Sequence, residues 1–175
     1  MNNISSVDAS RDTKSRDEPS RRRPLKLERL PDVVAECERL LQSGYTKSGN
    51  WTLAQICRHL RLTIESNMDG YPVWMTVLGY PLRPILRRFA LPKLLMGNSP
   101  KGVPTAGMFV PPGDLDDGVE VGRLKECVTR FVESSAPLHG HPGFGNMTHD
   151  QFNQFHAAHA AHHLGFLQPH SAEAG

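Results

Sequence analysis

Four of the nine histidines in this 175-residue chain lie close together near its carboxyl end. They are His156, His159, His162 and His163. Thr148 is suited to cap a helix that we expect over residues 148–167. On that helix His159 and His163 are neighbours on one stripe, where two imidazoles can bind the same metal ion, as in the zinc-binding i, i+4 motif. The alternative is that these histidines are partly exposed on a helix and bind nothing.

Two histidines do not complete a metal site, so a third ligand is needed. The best candidate is His59, which lies in the segment 51–67, where apolar residues recur at helical spacing. On that predicted helix His59 lies at the border of the apolar stripe, from which it could reach inward.

Two more segments, 30–41 and 121–131, have the apolar spacing of amphipathic helices. Pro31 suits the first turn of one, and acidic residues that suit a helix N-terminus precede the other. No alternation of β-branched residues indicates a sheet. Together with the two histidine-bearing segments, this pattern predicts an all-α fold of four helices.

Several motifs of the chain resemble those of a known family. They are Gly-Asn-Trp-Thr-Leu at 49–53, Gln-Ile-Cys-Arg-His-Leu at 55–60, Asp-Gly-Tyr-Pro at 69–72, Leu-Pro-Lys-Leu-Leu at 91–95, Phe-Val-Pro-Pro at 109–112, His-Pro-Gly-Phe-Gly at 141–145 and His-Ala-Ala-His-Ala-Ala-His-His-Leu at 156–164. The chain thereby resembles the DinB/YfiT-like superfamily, regarded as metalloenzymes. Within it, the chain is most similar to a bacterial subgroup of planctomycete type, catalogued as a domain of unknown function.

The resemblance implies an antiparallel four-helix bundle that binds a divalent ion, Zn²⁺ or Ni²⁺, through His59, His159 and His163. Two positions depart from the family pattern. Many relatives have Gln where Phe166 stands and an acidic residue where Ala161 stands, so any hydrogen bonds that those groups give to the ligands are missing here.

The leading functional hypothesis is a metal-dependent transferase, isomerase or hydrolase that activates a low-molecular-weight thiol or water. The expectation of a thiol substrate rests on the resemblance, since characterised relatives act on such compounds. His162 and His156 are the candidate proton carriers. One alternative is a non-catalytic binding protein with a structural or vestigial metal site. Another is a helical interaction module that docks a partner or forms a homodimer.

The chain ends are predicted to lie outside the domain. Residues 1–24 are polar and charged and should be disordered, the bundle should span 25–168, and 169–175 should be a tail. The segment 20–26 resembles a twin-arginine export motif, but charged residues follow it instead of an apolar stretch. The three cysteines, Cys37, Cys57 and Cys127, lie among apolar residues and should be buried in the core. We therefore expect a cytoplasmic protein without stable membrane insertion.

The proline-rich region between the second and third long helices is predicted to be a long connection with a short amphipathic helix over residues 82–89. Its arginines indicate either a solvated face or a surface for a membrane or an anionic ligand. The net charge is only +2, and the basic residues are divided between the N-terminal segment and this connection, which argues against nucleic-acid binding. Residues 97–102 should form a turn. Of the remaining histidines, His141 is expected to shape its loop.

Overall fold

The computed structural model describes residues 22–96 and 106–170. Within these ranges the chain is mainly helical, with one small antiparallel sheet. The helices are α1 (Leu30–Ser43), α2 (Leu53–Asp69), α3 (Val73–Gly79), α4 (Arg83–Ile85), α5 (Leu91–Leu95), α6 (Asp117–Glu133) and α7 (His149–Leu164). The strands are β1 (Tyr45–Lys47) and β2 (Leu167–Pro169). None of the described helices has the length and apolarity needed to cross a membrane.

The hydrophobic core lies between the four long helices α1, α2, α6 and α7. Helices α1, α2 and α6 each contribute an apolar stripe at helical spacing, whereas α7 is buried at most of its positions. All four segments predicted to be helices are helical. All three cysteines are buried, as expected. The Sγ atom of Cys57 lies 3.7 Å from Sγ of Cys37 on α1, so the Cys57 thiol faces α1.

The start of α2 is fixed by side chains from three parts of the chain. Thr52 caps the helix through its own hydroxyl. Asp117 Oδ1, at the start of α6, accepts a hydrogen bond from the N–H of Ala54 at 2.7 Å. The Tyr45 hydroxyl accepts the N–H of Leu53 at 2.9 Å and donates to Asp117 Oδ2 at 2.8 Å. These bonds satisfy N–H groups that a helix start leaves free, and they set the position of the helix that carries His59.

Helix α7 begins as predicted and ends earlier than predicted. Thr148 caps it by accepting the N–H of Gln151. The helix stops at Leu164 instead of Leu167, because residues 167–169 pair with β1 in an antiparallel ladder. The all-α prediction missed this sheet, since strands of three residues are too short to show an alternating pattern.

The connection between α2 and α6 is more helical than predicted. Instead of one short helix, the segment from Val73 to Leu95 is a continuous series of α, 3₁₀ and π turns. Two of its arginines reach back to the loop before α7. Arg83 Nε donates to the carbonyl of Pro142 at 2.9 Å, and Arg87 Nη1 donates to the carbonyl of Phe144 at 2.9 Å.

The predicted boundaries of the domain lie partly beyond the described ranges. The proposed turn at 97–102, the predicted N-terminal tail up to residue 21 and the last five residues are outside the described residues. Arg23, which precedes the predicted boundary, forms an ion pair with Glu36 on α1 and donates through Nε to the carbonyl of Leu167 at 2.7 Å. The described chain thus contacts the helices from its first residues, since Arg22 also lies 2.7 Å from His162 on α7.

Candidate metal centre

Three histidine side chains converge between α2 and α7. Each of His59, His159 and His163 offers one nitrogen, and these nitrogens all lie within 4.8 Å of one another. His159 is the central member, since its Nε2 atom lies 3.2 Å from Nε2 of His59 and 3.0 Å from Nε2 of His163. The structure therefore brings together the three residues that were predicted from the sequence to be metal ligands.

The tautomer of His59 follows from its second nitrogen. His59 Nδ1 lies 2.9 Å from the carbonyl oxygen of Phe109, in the short 3₁₀ turn Gly107–Phe109. A carbonyl oxygen only accepts, so Nδ1 carries the proton and Nε2 presents its lone pair to the other two histidines. An N–H donated to a backbone carbonyl is a common way for proteins to orient a metal-binding imidazole.

Hydrogen bonds among the three histidines cannot give every Nε2 atom of this cluster a partner. A proton on His159 Nε2 can form a linear hydrogen bond to only one of its two neighbours. A proton on His163 Nε2 instead leaves the lone pairs of His159 and His59 facing each other. A cation among the three nitrogens accepts all three lone pairs. Two nitrogens that are each about 2.1 Å from a tetrahedral zinc ion lie about 3.4 Å apart, close to the two distances seen here.

The surroundings keep the three imidazoles neutral. Burial is the main cause in every case: it lowers the pKa of His59, lowers that of His163 to about 3, and holds that of His159 well below its usual range. Trp51 stacks on His163, with ring centroids 5.3 Å apart, and tilts against His59 at 5.0 Å. Neutral imidazoles are the form that binds metal ions.

A cavity of about 90 Å³ adjoins the histidine cluster. It is lined by Thr63, Tyr71, Met75, Phe109, His141, Pro142, Phe155, His156 and His159. Since a water molecule occupies about 30 Å³, the cavity has room for roughly three of them. Two of the lining residues, His156 and His159, each have a buried Nδ1 without a hydrogen-bond partner among the described residues. Water or a small polar ligand in the cavity could supply those partners.

His156, one of the two predicted proton carriers, lies at this cavity instead of among the three converging nitrogens. Its Nε2 lies 2.8 Å from Oδ1 of Asn67, which also accepts a hydrogen bond from the Tyr71 hydroxyl at 3.1 Å. His156 Nε2 is therefore the protonated nitrogen, and Nδ1 is an acceptor. Burial lowers the pKa of His156 to about 3, so this side chain acts as a neutral hydrogen-bonding group.

The low pKa of His156 predicts a stability that declines in acid. An unfolded chain binds a proton at histidine with a pKa near 6.5, whereas folded His156 stays neutral down to about pH 3. Below about pH 6.5 this residue therefore lowers the free energy of unfolding by about 1.4 kcal/mol per pH unit. Denaturant unfolding with a chelator present, between about pH 7 and pH 5, measures the slope. The His156→Gln variant should show a smaller slope, and equal slopes would contradict the assignment.

The other predicted proton carrier, His162, lies on a different side of α7. Its Nδ1 is 2.7 Å from Nη1 of Arg22, and its ring meets the edge of His163 at 5.1 Å. It lines a separate cavity of about 640 Å³, whose lining includes none of the three converging histidines. Phe166 packs against His162 and lies close to Gly49.

His141 has the loop-shaping position expected for it. Its backbone pairs with that of Gly145 in both directions, and its Nδ1 accepts the N–H of Gly143 at 3.1 Å. The ring stacks on Phe144 at 4.7 Å. Burial lowers the pKa of His141 to about 4, which keeps the ring neutral and able to accept this bond.

Three contributors to the site had no assigned role in the sequence. The carbonyl of Phe109 orients His59, Trp51 covers two of the histidines, and Asn67 holds His156. Trp51 and Phe109 lie in motifs that resemble the family, which was the available signal. A carbonyl group is present at every residue, so its use could not be read from residue type.

Comparison with known proteins gives a family and no function. Neither the curated proteins nor the solved structures include a match to this chain. A family model described as "Protein of unknown function (DUF1569)" matches residues 19–170, a range that includes every side chain of the candidate metal centre. Because the match spans most of the 175 residues, the chain belongs to the DUF1569 family.

Proposed function

We propose that this protein binds one divalent metal ion through His59, His159 and His163 and uses it as an enzyme on a small-molecule substrate. The observation that supports this proposal most strongly is the grouping of three histidine nitrogens within 4.8 Å of one another, with separations from His159 of 3.0 and 3.2 Å. Hydrogen bonds among neutral imidazoles cannot satisfy all of those atoms. Zn²⁺ and Ni²⁺ are the ions we favour, because both accept imidazole nitrogen.

The fold is part of the same proposal. The helices α1, α2, α6 and α7 share one core, and we propose that they form an antiparallel four-helix bundle of the DinB/YfiT-like kind. The proposed ligands come from α2 and α7, as that likeness implies. We further propose a cytoplasmic location, which suits three buried cysteines without a disulfide.

The proposed chemistry is activation of a low-molecular-weight thiol or of water. Three protein ligands leave a coordination position open, which is typical of catalytic and not of structural zinc sites. When bound, such an ion lowers the pKa of a thiol or of water held beside it. His59 would be kept in the required tautomer by the Phe109 carbonyl, and Trp51 would keep bulk water from the histidine rings.

His156 is the better placed of the two candidate proton carriers. It lines the same cavity as His159, and its unpartnered Nδ1 is an acceptor. We propose that it accepts a hydrogen bond from the substrate or from water. His162 would act on the other side of α7, where it contacts Arg22.

Cobalt substitution tests whether a coordination position is open to a thiol. The protein reconstituted with Co²⁺ should show visible absorption, and cysteine added as the thiol should produce a new thiolate-to-cobalt band. The His59→Ala variant is the control and should show neither feature. A cobalt spectrum that cysteine leaves unchanged would rule out thiol activation while leaving metal binding intact.

The rival function is a binding protein whose metal only stabilises the fold. The specific observation in its favour is that Ala161 and Phe166 stand where the resemblance to the DinB/YfiT-like superfamily implies polar groups, since neither side chain can hydrogen-bond a ligand. This rival function predicts a metal ion with no coordination position open to a ligand from solution. In the cobalt experiment it predicts visible absorption that responds neither to cysteine nor to azide, a small anion that enters open positions.

A further inference from the structure

The segment from Val73 to Met96, which we call the connecting surface, exposes far more apolar side chain than the rest of the described protein. Of the fifteen large apolar residues exposed in the described ranges, ten lie in this segment. Among them, Trp74 is 54%, Leu78 66% and Phe89 61% exposed. Contiguous apolar surface of this kind marks a site of interaction with another molecule or a membrane.

The exposed and covered positions follow a helical period. Gly79, Arg83 and Leu86 face the loop before α7: a side chain at Gly79 would meet the carbonyl of Pro142, Arg83 donates to that carbonyl, and Leu86 lies beside Gly143. The residues between these positions, including Ile85 at 60% exposure, point outward. The segment therefore contacts the loop before α7 through Arg83, Leu86 and Arg87, and it leaves most of its large apolar side chains in solvent, unlike an ordinary surface helix.

The charge of the connecting surface is positive. The sequence has no Asp or Glu between Gly70 and Gly113, but it has five basic residues there. Arg88 and Lys93 are exposed, and the Arg88 guanidinium lies 5.5 Å from the ring centre of Phe89. Aromatic side chains beside exposed cations, in a segment without acidic residues of its own, are the pattern of segments that lie at the interface of an anionic bilayer.

We propose that the connecting surface docks this protein on an anionic lipid bilayer, as a peripheral protein whose apolar side chains enter the headgroup region. A second copy of the chain is a poorer occupant. A symmetric contact would bring two copies of the same positively charged segment together, with no carboxylate in the segment to neutralise Arg88 and Lys93. This proposal stands on different residues from the metal centre and does not depend on it.

Vesicle sedimentation of the full chain tests the docking. We expect binding to vesicles of phosphatidylcholine with phosphatidylglycerol to exceed binding to phosphatidylcholine alone by about 25-fold or more, since each basic side chain at the surface contributes roughly fivefold. High salt should weaken it, because salt screens the attraction. Vesicles should also shift the Trp74 emission to the blue, and the shift should be lost in Trp74→Phe.

A matched pair of substitutions assigns the binding to this surface. Phe89→Glu should lower partition into the anionic vesicles at least about tenfold, because it places a like charge at the bilayer. Val132→Glu, at a residue 46% exposed on α6, should leave it unchanged. Both positions are exposed, so circular dichroism should show the same fold. The basic N-terminal residues are present in both variants, so they cannot produce a difference.

Three results would overturn the proposal. The first is equal binding to the two kinds of vesicle, and the second is unchanged binding of Phe89→Glu. The third is a dimer, seen by light scattering without vesicles, that Phe89→Glu dissociates, because the second copy would then be the occupant.

Discussion

Replacing His159 by alanine is expected to lower the affinity for zinc by more than about 100-fold. His159 Nε2 is the atom within 3.2 Å of the corresponding nitrogens of both His59 and His163, so its loss leaves two ligands on separate helices. Loss of a mere hydrogen-bond partner of a metal ligand already costs about 10- to 100-fold. Competition with a chelator of known zinc affinity measures the change.

The matched control is His162→Ala. His162 lies on the same helix and its ring contacts His163, but it lies outside the group of converging nitrogens. This variant should keep zinc affinity within about threefold of the wild type, since it removes no ligand. The ligand assignment is wrong if the two variants lose affinity equally or if His159→Ala loses none.

Replacing Glu120 by alanine is expected to lower the free energy of unfolding by about 3 kcal/mol, the lower end for breaking a buried ion pair. The Glu120 side chain is 1% exposed and contacts arginines from two helices. Its carboxylate lies 2.6 Å from Arg123 on α6 and 3.8 Å from Arg61 on α2. The lower end of that range applies because neither arginine is left as an unpaired buried charge: Arg61 keeps Glu65 at 2.8 Å, and the Arg123 side chain is 52% exposed. Denaturant unfolding measures the loss.

An exposed ion pair provides the comparison for Glu120. Glu38 on α1 pairs with Lys125 on α6 at 2.8 Å, and both side chains are substantially exposed. Glu38→Ala should therefore cost less than about 1 kcal/mol. Similar losses in the two variants would show that burial of Glu120 does not set the strength of its interaction.

The local part of the candidate site could be predicted from sequence. His159 and His163 are one turn apart on a helix, and that spacing alone places their side chains together. His59 lies on another helix, so its approach depends on the relative position of α2 and α7. That position depends on contacts such as the hydrogen bond between Asn67 on α2 and His156 on α7, residues 89 apart in the chain, which no local pattern reveals.

In the connection between α2 and α6, the spacing of hydrophobic residues did not predict which side chains face the protein. Spacing predicted an amphipathic helix near residues 82–89, and its arginines allowed a solvated face. In the structure Arg83 and Arg87 donate to backbone carbonyls of the loop before α7, and Ile85 and Phe89 are exposed. The guanidinium group of arginine has several N–H donors in a fixed arrangement and can bond more than one carbonyl at once. The spacing of hydrophobic residues gives no information about such hydrogen bonds.

The central claim is that three histidines bind one metal ion, and elemental analysis of protein purified without a histidine tag tests it most directly. About one Zn²⁺ or Ni²⁺ per chain is expected in the wild type, since the three nitrogens form a single group. The His59→Ala variant, analysed beside it, should have almost none. A wild type that stays free of metal after reconstitution with either ion, or a variant that keeps its metal, would contradict the account.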